Sequence, residues 1–525
     1  MRLKSDIFCK KFDKKRGTPI LIGELVKQPN NTIPKEGVLT IMISRFLTNN
    51  QLESLSRQQK RDLQRQYEKS IKLLQSATGK TNLPVIFDNT TVTGFGNFGL
   101  LESLKRAVDF TGIVNKHFTV HRHHNSTYSA AEIIDTMVDC AALGLLRFDH
   151  MNQLKFDPGY QKIKGIDRVP DERTLRYLLS KLNIEDIEKL KKVNQAMLSM
   201  KAKIDAPREI WIDTDDTVIT VFGAQQGCEV GYNPRYHGRS SYKAKVAFVS
   251  GSCELLNAGL YGGKTSSNGD FLEFFQETLS LVGHNTVVKG VRMDKGFFDQ
   301  KNFTYLEDNS LEYVCKAPLN SSVWKVIKYL NSQNSWQELD NTYAVNEITV
   351  PLQSWERARR FVFIREKVKT TTKGNQDAFA FTDLYDYEAI VTNMEDLSPE
   401  EIWHWYNKRC NVENKIDELK TGVGIEQTSQ NEMVRNIAFM WIKILSYNLL
   451  NWFRLALLPA GASSYEIPTI RRLILNVPGN VVGNGRYRHV RLAANQWLQQ
   501  VVDNIKYRLK EFTCQRAWLL VSPSG

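Results

Sequence analysis

The chain has 525 residues and a mass of 60.3 kDa, more than one domain of ~100–200 residues accommodates, so several are expected. With 42% hydrophobic and 24% charged residues it can build ordinary cores, which excludes a disordered or fibrous protein. The net charge of +13 points to a polyanionic partner, and it is uneven: residues 1–80 hold 17 basic and 7 acidic side chains, leaving the rest of the chain near neutrality.

The seven cysteines (Cys9, Cys140, Cys228, Cys253, Cys315, Cys410 and Cys514) are far apart and form no C-x-x-C pair, so neither a disulfide framework nor a zinc ribbon fits. The opening MRLKSDIFCKKFDKKRG lacks the apolar run of a signal peptide. Residues 437–458 come nearest to a membrane span, but Lys443, Asn448, Asn451 and Arg454 interrupt them, and a buried helix is expected instead. Together these features predict a soluble, cytoplasmic protein of a reducing compartment.

In chain order, residues 51–76 read as a long basic helix, and the Gly/Asn/Thr-rich 89–97 as a boundary. Residues 100–203 are helical in pattern, with three- and four-residue apolar spacing over 130–146 and 184–200 and a short helix over 174–182. Strands are predicted over 209–222, 242–250 and 255–261, then a helix over 270–282 and a strand over 286–293. That succession is an α/β plan with a mixed sheet. Residues 303–385 read as an inserted β-rich subdomain, and a strand over 387–392 returns to the main sheet. A helix then starts at Ser398, with Pro399 at its first position and Glu401 completing a capping box, and is predicted to run to Lys420. The tail, 467–517, carries Arg471, Arg472, Arg486, Arg488 and Arg491. The resulting organisation is a basic module (1–90), a helical region (91–205), a core in two parts (206–302 and 387–455), a β-rich insertion between them (303–386) and a basic C-terminal region (456–525).

On the helix opened by Ser398, Tyr406, Arg409, Glu413 and Lys420 fall within about 60° of one another at 100° per residue. A carboxylate flanked by cations suits a metal bridged to phosphate; a solvated face with i,i+4 ion pairs is the alternative. On the strand 209–222, Asp213 and Asp215 share one face and Asp216 points the other way. Acidic residues inside an apolar strand need positive charge nearby. Asp294 ends a further strand, just before Lys295-Gly296, where α/β sheets commonly place their sites; alone it reads first as a turn aspartate. Carboxylates from two strands and a helix could jointly hold two Mg2+ ions for phosphodiester chemistry.

These residues resemble a known family. Tyr406-x-x-Arg409-x-x-x-Glu413-x6-Lys420 is similar to the Y-(2)-R-(3)-E-(6)-K motif of DDE insertion-sequence transposases. Ile212–Thr217 resembles the strand bearing that family's first Asp, and Arg292–Phe297 the R-x-D-x-G-F segment bearing its second. Gly231-Tyr232-Asn233-Pro234 through Gly238–Tyr242, and Tyr447-Asn448-Leu449-Leu450, also resemble one branch of it. The resemblance covers about 91–491 and implies an RNase H-like core split by a β-rich insertion. It implies catalytic, metal-binding carboxylates at Asp215, Asp294 and Glu413. Asp215 is chosen by the Asp-x-Thr match, with Asp213 as the alternative. The implied cofactor is two Mg2+ per site, with Mn2+ substituting, and the implied reaction is cut-and-paste transposition through a hairpin. Tyr406, Arg409 and Lys420 would hold DNA phosphates, and the helical region would bind DNA. Double-stranded element ends and target DNA would be the partners, a homodimer the synaptic form, and nucleoid DNA in a prokaryotic cytoplasm the location. A non-cleaving DNA-binding derivative and a structure-selective nuclease are the rival readings.

Lesser candidates are weighed on the same terms. His121-Arg122-His123-His124 has no carboxylate or Cys at ligand spacing and reads as an exposed basic loop. Trp324, Trp336 and Trp355 of the insertion read first as core, although an aromatic there could hold an extruded base. Gly262-Gly263-Lys264-Thr265-Ser266 lacks the spacing of a phosphate loop.

Overall fold

The computed structural model describes residues 55–78, 90–204, 208–283, 286–352, 355–368 and 385–521. Most of the basic module (1–54 and 79–89) and the DAFAF segment of the β-rich stretch lie outside the described residues. The chain divides into two compact units, Met1–Asn89 and Thr90–Gly525. In the first, helix Arg57–Thr78 starts later than the sequence predicts, because Ser56 and Gln59 cap it: each backbone N–H donates to the other's side-chain oxygen.

The second unit opens with β1 (Val92–Thr93) and then runs through helices Phe98–Ala107, Phe110–His117, Ala130–Leu143, Phe148–Lys155, Pro158–Lys164, Glu172–Lys181 and Ile184–Ile204. The helix predicted over 130–146 begins at a Ser129/Glu132 capping box and ends earlier, at Gly144, whose φ of 86° suits only glycine. Buried charge ties three of these helices together. Asp139 accepts from Lys105 at 2.5 Å, from the Tyr160 hydroxyl at 2.7 Å and from Lys164, while Asp135 pairs with both lysines at 2.6 Å.

The sheet follows. β2 (Arg208–Thr220), β3 (Glu229–Val230), β4 (Ser240–Val249) and β5 (Leu255–Gly262) precede helix Phe271–Ser280; β6 (Thr286–Met293), helix Gln300–Asp308 and β7 (Glu312–Lys316) come next. β2 pairs antiparallel with β4 and parallel with β6, β4 pairs antiparallel with β5, and β6 pairs parallel with β7. The order β5-β4-β2-β6-β7 is the mixed sheet expected of an RNase H-like core.

The stretch predicted as a separate β-rich insertion is arranged differently. Its first strand, β7, belongs to the main sheet, and helix Ser321–Gln333 follows, N-capped by Asn320 and burying Val323, Ile327 and Leu330 at helical spacing. β8 (Gln337–Glu338), β9 (Tyr343–Val350), β10 (Arg359–Lys367) and β11 (Tyr385–Thr392) then extend the same sheet in the order β7-β11-β10-β9-β8. β11 is the joint, antiparallel to β7 on one edge and to β10 on the other.

Helix Met433–Trp452 forms the middle of this unit, packed against Ala130–Leu143, Ile184–Ile204 and β5. Several of its polar residues are buried and hydrogen-bonded, as burial requires. Lys443 donates to the Gly424 carbonyl at 2.6 Å, Asn448 to Asn194 and the Leu255 carbonyl, and Asn451 to the Ser252 carbonyl. Among the described residues no helix is long and apolar enough to cross a membrane. β12 (Gly479–Val482) and β13 (His489–Leu492) form a small sheet with β1, and helix Gln496–Val521 ends the described chain.

Candidate active site

The site grows from the middle of β2. Asp213 and Asp215 lie on the face toward the helices after Ser398, as the two-residue period predicts, but their surroundings differ. Asp213 is buried, and both its oxygens are taken by Arg292 of the neighbouring strand β6, Nε to Oδ1 at 2.6 Å and the terminal nitrogen to Oδ2 at 2.8 Å. Arg292 also donates to the Trp405 carbonyl at 2.8 Å and to the Ser250 hydroxyl. Sequence reading passed over this pair, although a lone Arg within the apolar strand TVVKGVRM is itself a signal that a buried acid faces it.

Asp215 has no such dedicated partner. Burial pushes its carboxyl up to about 6, against the pull of Arg409 and of the Asp216 N–H that donates to it at 2.8 Å. One terminal nitrogen of Arg409 stands 3.3 Å from Asp215, and the other stands 3.6 Å from Asp294 at the end of β6. A single guanidinium therefore spans two carboxylates from adjacent parallel strands, with the Tyr406 ring 5.9 Å beneath it. The acids around it raise the affinity of Arg409 for its proton despite burial, and burial raises the Tyr406 hydroxyl. Asp216, on the opposite face, pairs with Lys243 at 3.2 Å.

The helix that carries Arg409 starts as predicted, with the Ser398/Glu401 capping box and Pro399 in its first turn. It does not run unbroken to Lys420. It stops at Asn407, resumes as Cys410–Glu418 and ends in a wide turn, Leu419–Val423. Tight i→i+3 bonds, Arg409 N–H to the Tyr406 carbonyl and Val412 N–H to the Arg409 carbonyl, make the break. A uniform wheel over 406–420 therefore does not hold. Tyr406 and Arg409 are brought to the aspartates. Glu413, one turn further along, is exposed and has no ion pair among the described residues. Lys420 lies on the wide turn and lines a cleft of about 820 Å³ that also exposes Asp216, Asp294, Lys243, Lys295 and Glu426. Glu418, which the motif spacing skips, is structural: it is buried, paired with Arg454 and Lys415 at 2.7 Å, and accepts the Ile467 N–H.

The lesser candidates separate cleanly. His121, His123 and His124 are exposed, and among the described residues no three His, Cys, Asp or Glu side chains gather closely enough to hold a metal. Trp355 packs among Phe298, Phe303 and Phe361, Trp336 donates to Asn331 beneath Arg365, and Trp324 is part-exposed beside Tyr387. Gly262–Ser266 forms a turn at the end of β5.

Asp215 and Asp294 nevertheless fit a divalent ion in part. They offer hard oxygen donors that converge on one cation, now the guanidinium of Arg409, and Asp215 is short of compensating charge. The third carboxylate of a full cluster is not assembled with them.

The mixed sheet and its paired strand carboxylates are compatible with a DNA-cutting and strand-joining enzyme of the DDE class, which the family match establishes. The family model of the transposase DDE domain, group 1, matches residues 75–514, and the chain belongs to that family. Its members work with divalent metal ions and act on DNA. Among solved structures, the cryo-EM structure of the piggyBac transposase synaptic complex with hairpin DNA is similar to the chain at 12% identity, covering 82% of this chain and 83% of that one with a TM-score of 0.36. No curated protein matches the chain.

Proposed function

We propose that this transposase moves its element by cut and paste, through a hairpin intermediate, using Mg2+ at Asp215, Asp294 and Glu413, two ions per site, with Mn2+ able to substitute. The observation that carries the reading is the convergence of Asp215 and Asp294 on Arg409 at 3.3 and 3.6 Å. Bound there, divalent ions supply activation of the attacking oxygen and stabilisation of the departing one. The chain's own residues do the rest. Arg409 offsets the charge of the two aspartates, and its planar guanidinium would suit a phosphate oxygen. Tyr406 props Arg409 from below, and Lys420 meets the strand from the wall of the cleft. Asp213, locked to Arg292, stays out of the reaction and fixes β2 against β6. Phosphate contacts of this kind position DNA without reading it; the helical region 91–205 would read the element ends, and a homodimer would hold two ends together.

The test uses the purified chain, Mg2+ and duplex DNA carrying the ends that flank its gene, with products resolved on a denaturing gel. The wild type should yield nicks and hairpins at the ends. Glu413→Gln should lose them while still binding the end DNA; cutting that survives this change removes Glu413 from the site.

A further inference from the structure

The loop between β2 and β4 has a feature that the cutting chemistry does not require. Phe222 is 67% exposed and Tyr232 76%, and Tyr236 is 38% exposed, all lining the cleft that also exposes Asp216 and Asp294. Phe222 and Tyr236 meet edge to face at 5.5 Å, with Arg239 over the first ring at 5.3 Å and Arg235 over the second at 5.6 Å. Isolated exposed rings are ordinary; three lining one cleft, two of them with an arginine over the ring, are not.

The loop is also held in place. Asn233 donates to the Thr220 hydroxyl at 3.0 Å and accepts the Tyr236 N–H at 3.0 Å, the Gln226 N–H donates to the Asn431 carbonyl at 2.8 Å, and the Tyr242 hydroxyl donates to the Gln226 carbonyl at 2.5 Å. The rings are therefore presented to solvent by a braced frame, so binding there costs little further ordering. The loop's one acid, Glu229, is already turned to the Lys264 N–H, which leaves Arg235 and Arg239 as its outward charge.

We propose that the 222–239 loop is a stacking platform for an unpaired nucleotide of the DNA strand held in the cleft. This inference rests on the DNA-cutting reading of the same cleft. Aromatic faces with arginines beside them bind bases by stacking and the backbone by charge. A base inside a duplex has both faces covered, so the occupant is a nucleotide outside the stack, on the strand that Lys420 would hold in the same cleft.

The test uses the whole chain and two probes: a duplex with a short unpaired tail containing a fluorescent adenine analogue, and the same duplex without a tail. The wild type should bind the tailed probe more tightly and quench its fluorescence. Tyr232→Ala and Phe222→Ala should each weaken tail binding by roughly tenfold or more and lose the quench, while blunt-duplex binding stays unchanged; Tyr232→Phe should keep the quench. Quenching that survives both alanine changes overturns the proposal, as does an equal loss on the blunt duplex, which would mark a general contact. Metal-dependent cutting of end DNA, assayed alongside, separates the levels. Cutting without tail preference removes only the platform, and no cutting by the wild type removes the reading beneath it.

Discussion

Two aspartates two positions apart on one strand have been given opposite roles by what stands across from them. Arg292 takes both oxygens of Asp213, whereas Asp215 shares Arg409 with Asp294. Removing one partner from a buried pair leaves an uncompensated charge, so Asp213→Ala should cost about 3–5 kcal/mol in denaturant unfolding. A cost near zero would mean that the pair is not the anchor between β2 and β6. Behind them Lys245, fully buried on β4, donates to the carbonyls of Ser266 and Gly269 over the Tyr261 ring. Burial lowers its ammonium to about 8 from an ordinary 10.5. Between those values the unfolded chain binds the extra proton, so this residue makes stability rise with pH from about 8 to 10.5. Lys245→Met should flatten that rise in melts taken across the window, and an unchanged slope would assign it to another group.

At the scale of elements, the site depends on where a helix breaks. Gly424, with φ of 70°, ends the wide turn that carries Lys420, and its carbonyl receives buried Lys443. Gly424→Ala should destabilise the fold by about 1–2 kcal/mol, measured by thermal unfolding; a neutral effect would show that the turn relaxes without it. The elements were unevenly legible in sequence. Period two placed Asp213 and Asp215 on one face, and Ser398-Pro399 with Glu401 marked a helix start, because those signals are local. The break at 408–409 was not, since a wheel assumes equal steps and the tight turn under Arg409 appears in no residue type. Helix Ser321–Gln333 hid within a β-rich stretch because a short apolar run rich in Val and Ile reads alike as a buried helix or a strand. The role of Arg292 was hidden for a different reason: a buried ion pair is a fact of register between strands, which one strand alone does not display.

At the scale of the molecule, the second unit joins a helical body, a mixed sheet and its antiparallel extension around the buried helix Met433–Trp452, and the cleft is lined by Asp216 of β2 and by Asp294 after β6. The sequence indicated that a metal site would be built from two strands and a helix. The structure brings the two strand carboxylates together beneath Arg409 and leaves the helix carboxylate, Glu413, one turn away and exposed. Asp215 and Asp294 are proposed as the working pair of the site. The most direct measurement is cleavage and joining of end DNA with Mg2+ by Asp215→Asn, Asp294→Asn and Asp213→Asn proteins, each first shown to be folded. The first two should bind ends but form no nicked, hairpin or joined products, while the third should cut in proportion to its folded fraction. Loss of cutting in folded Asp213→Asn with activity kept in Asp215→Asn would contradict that assignment.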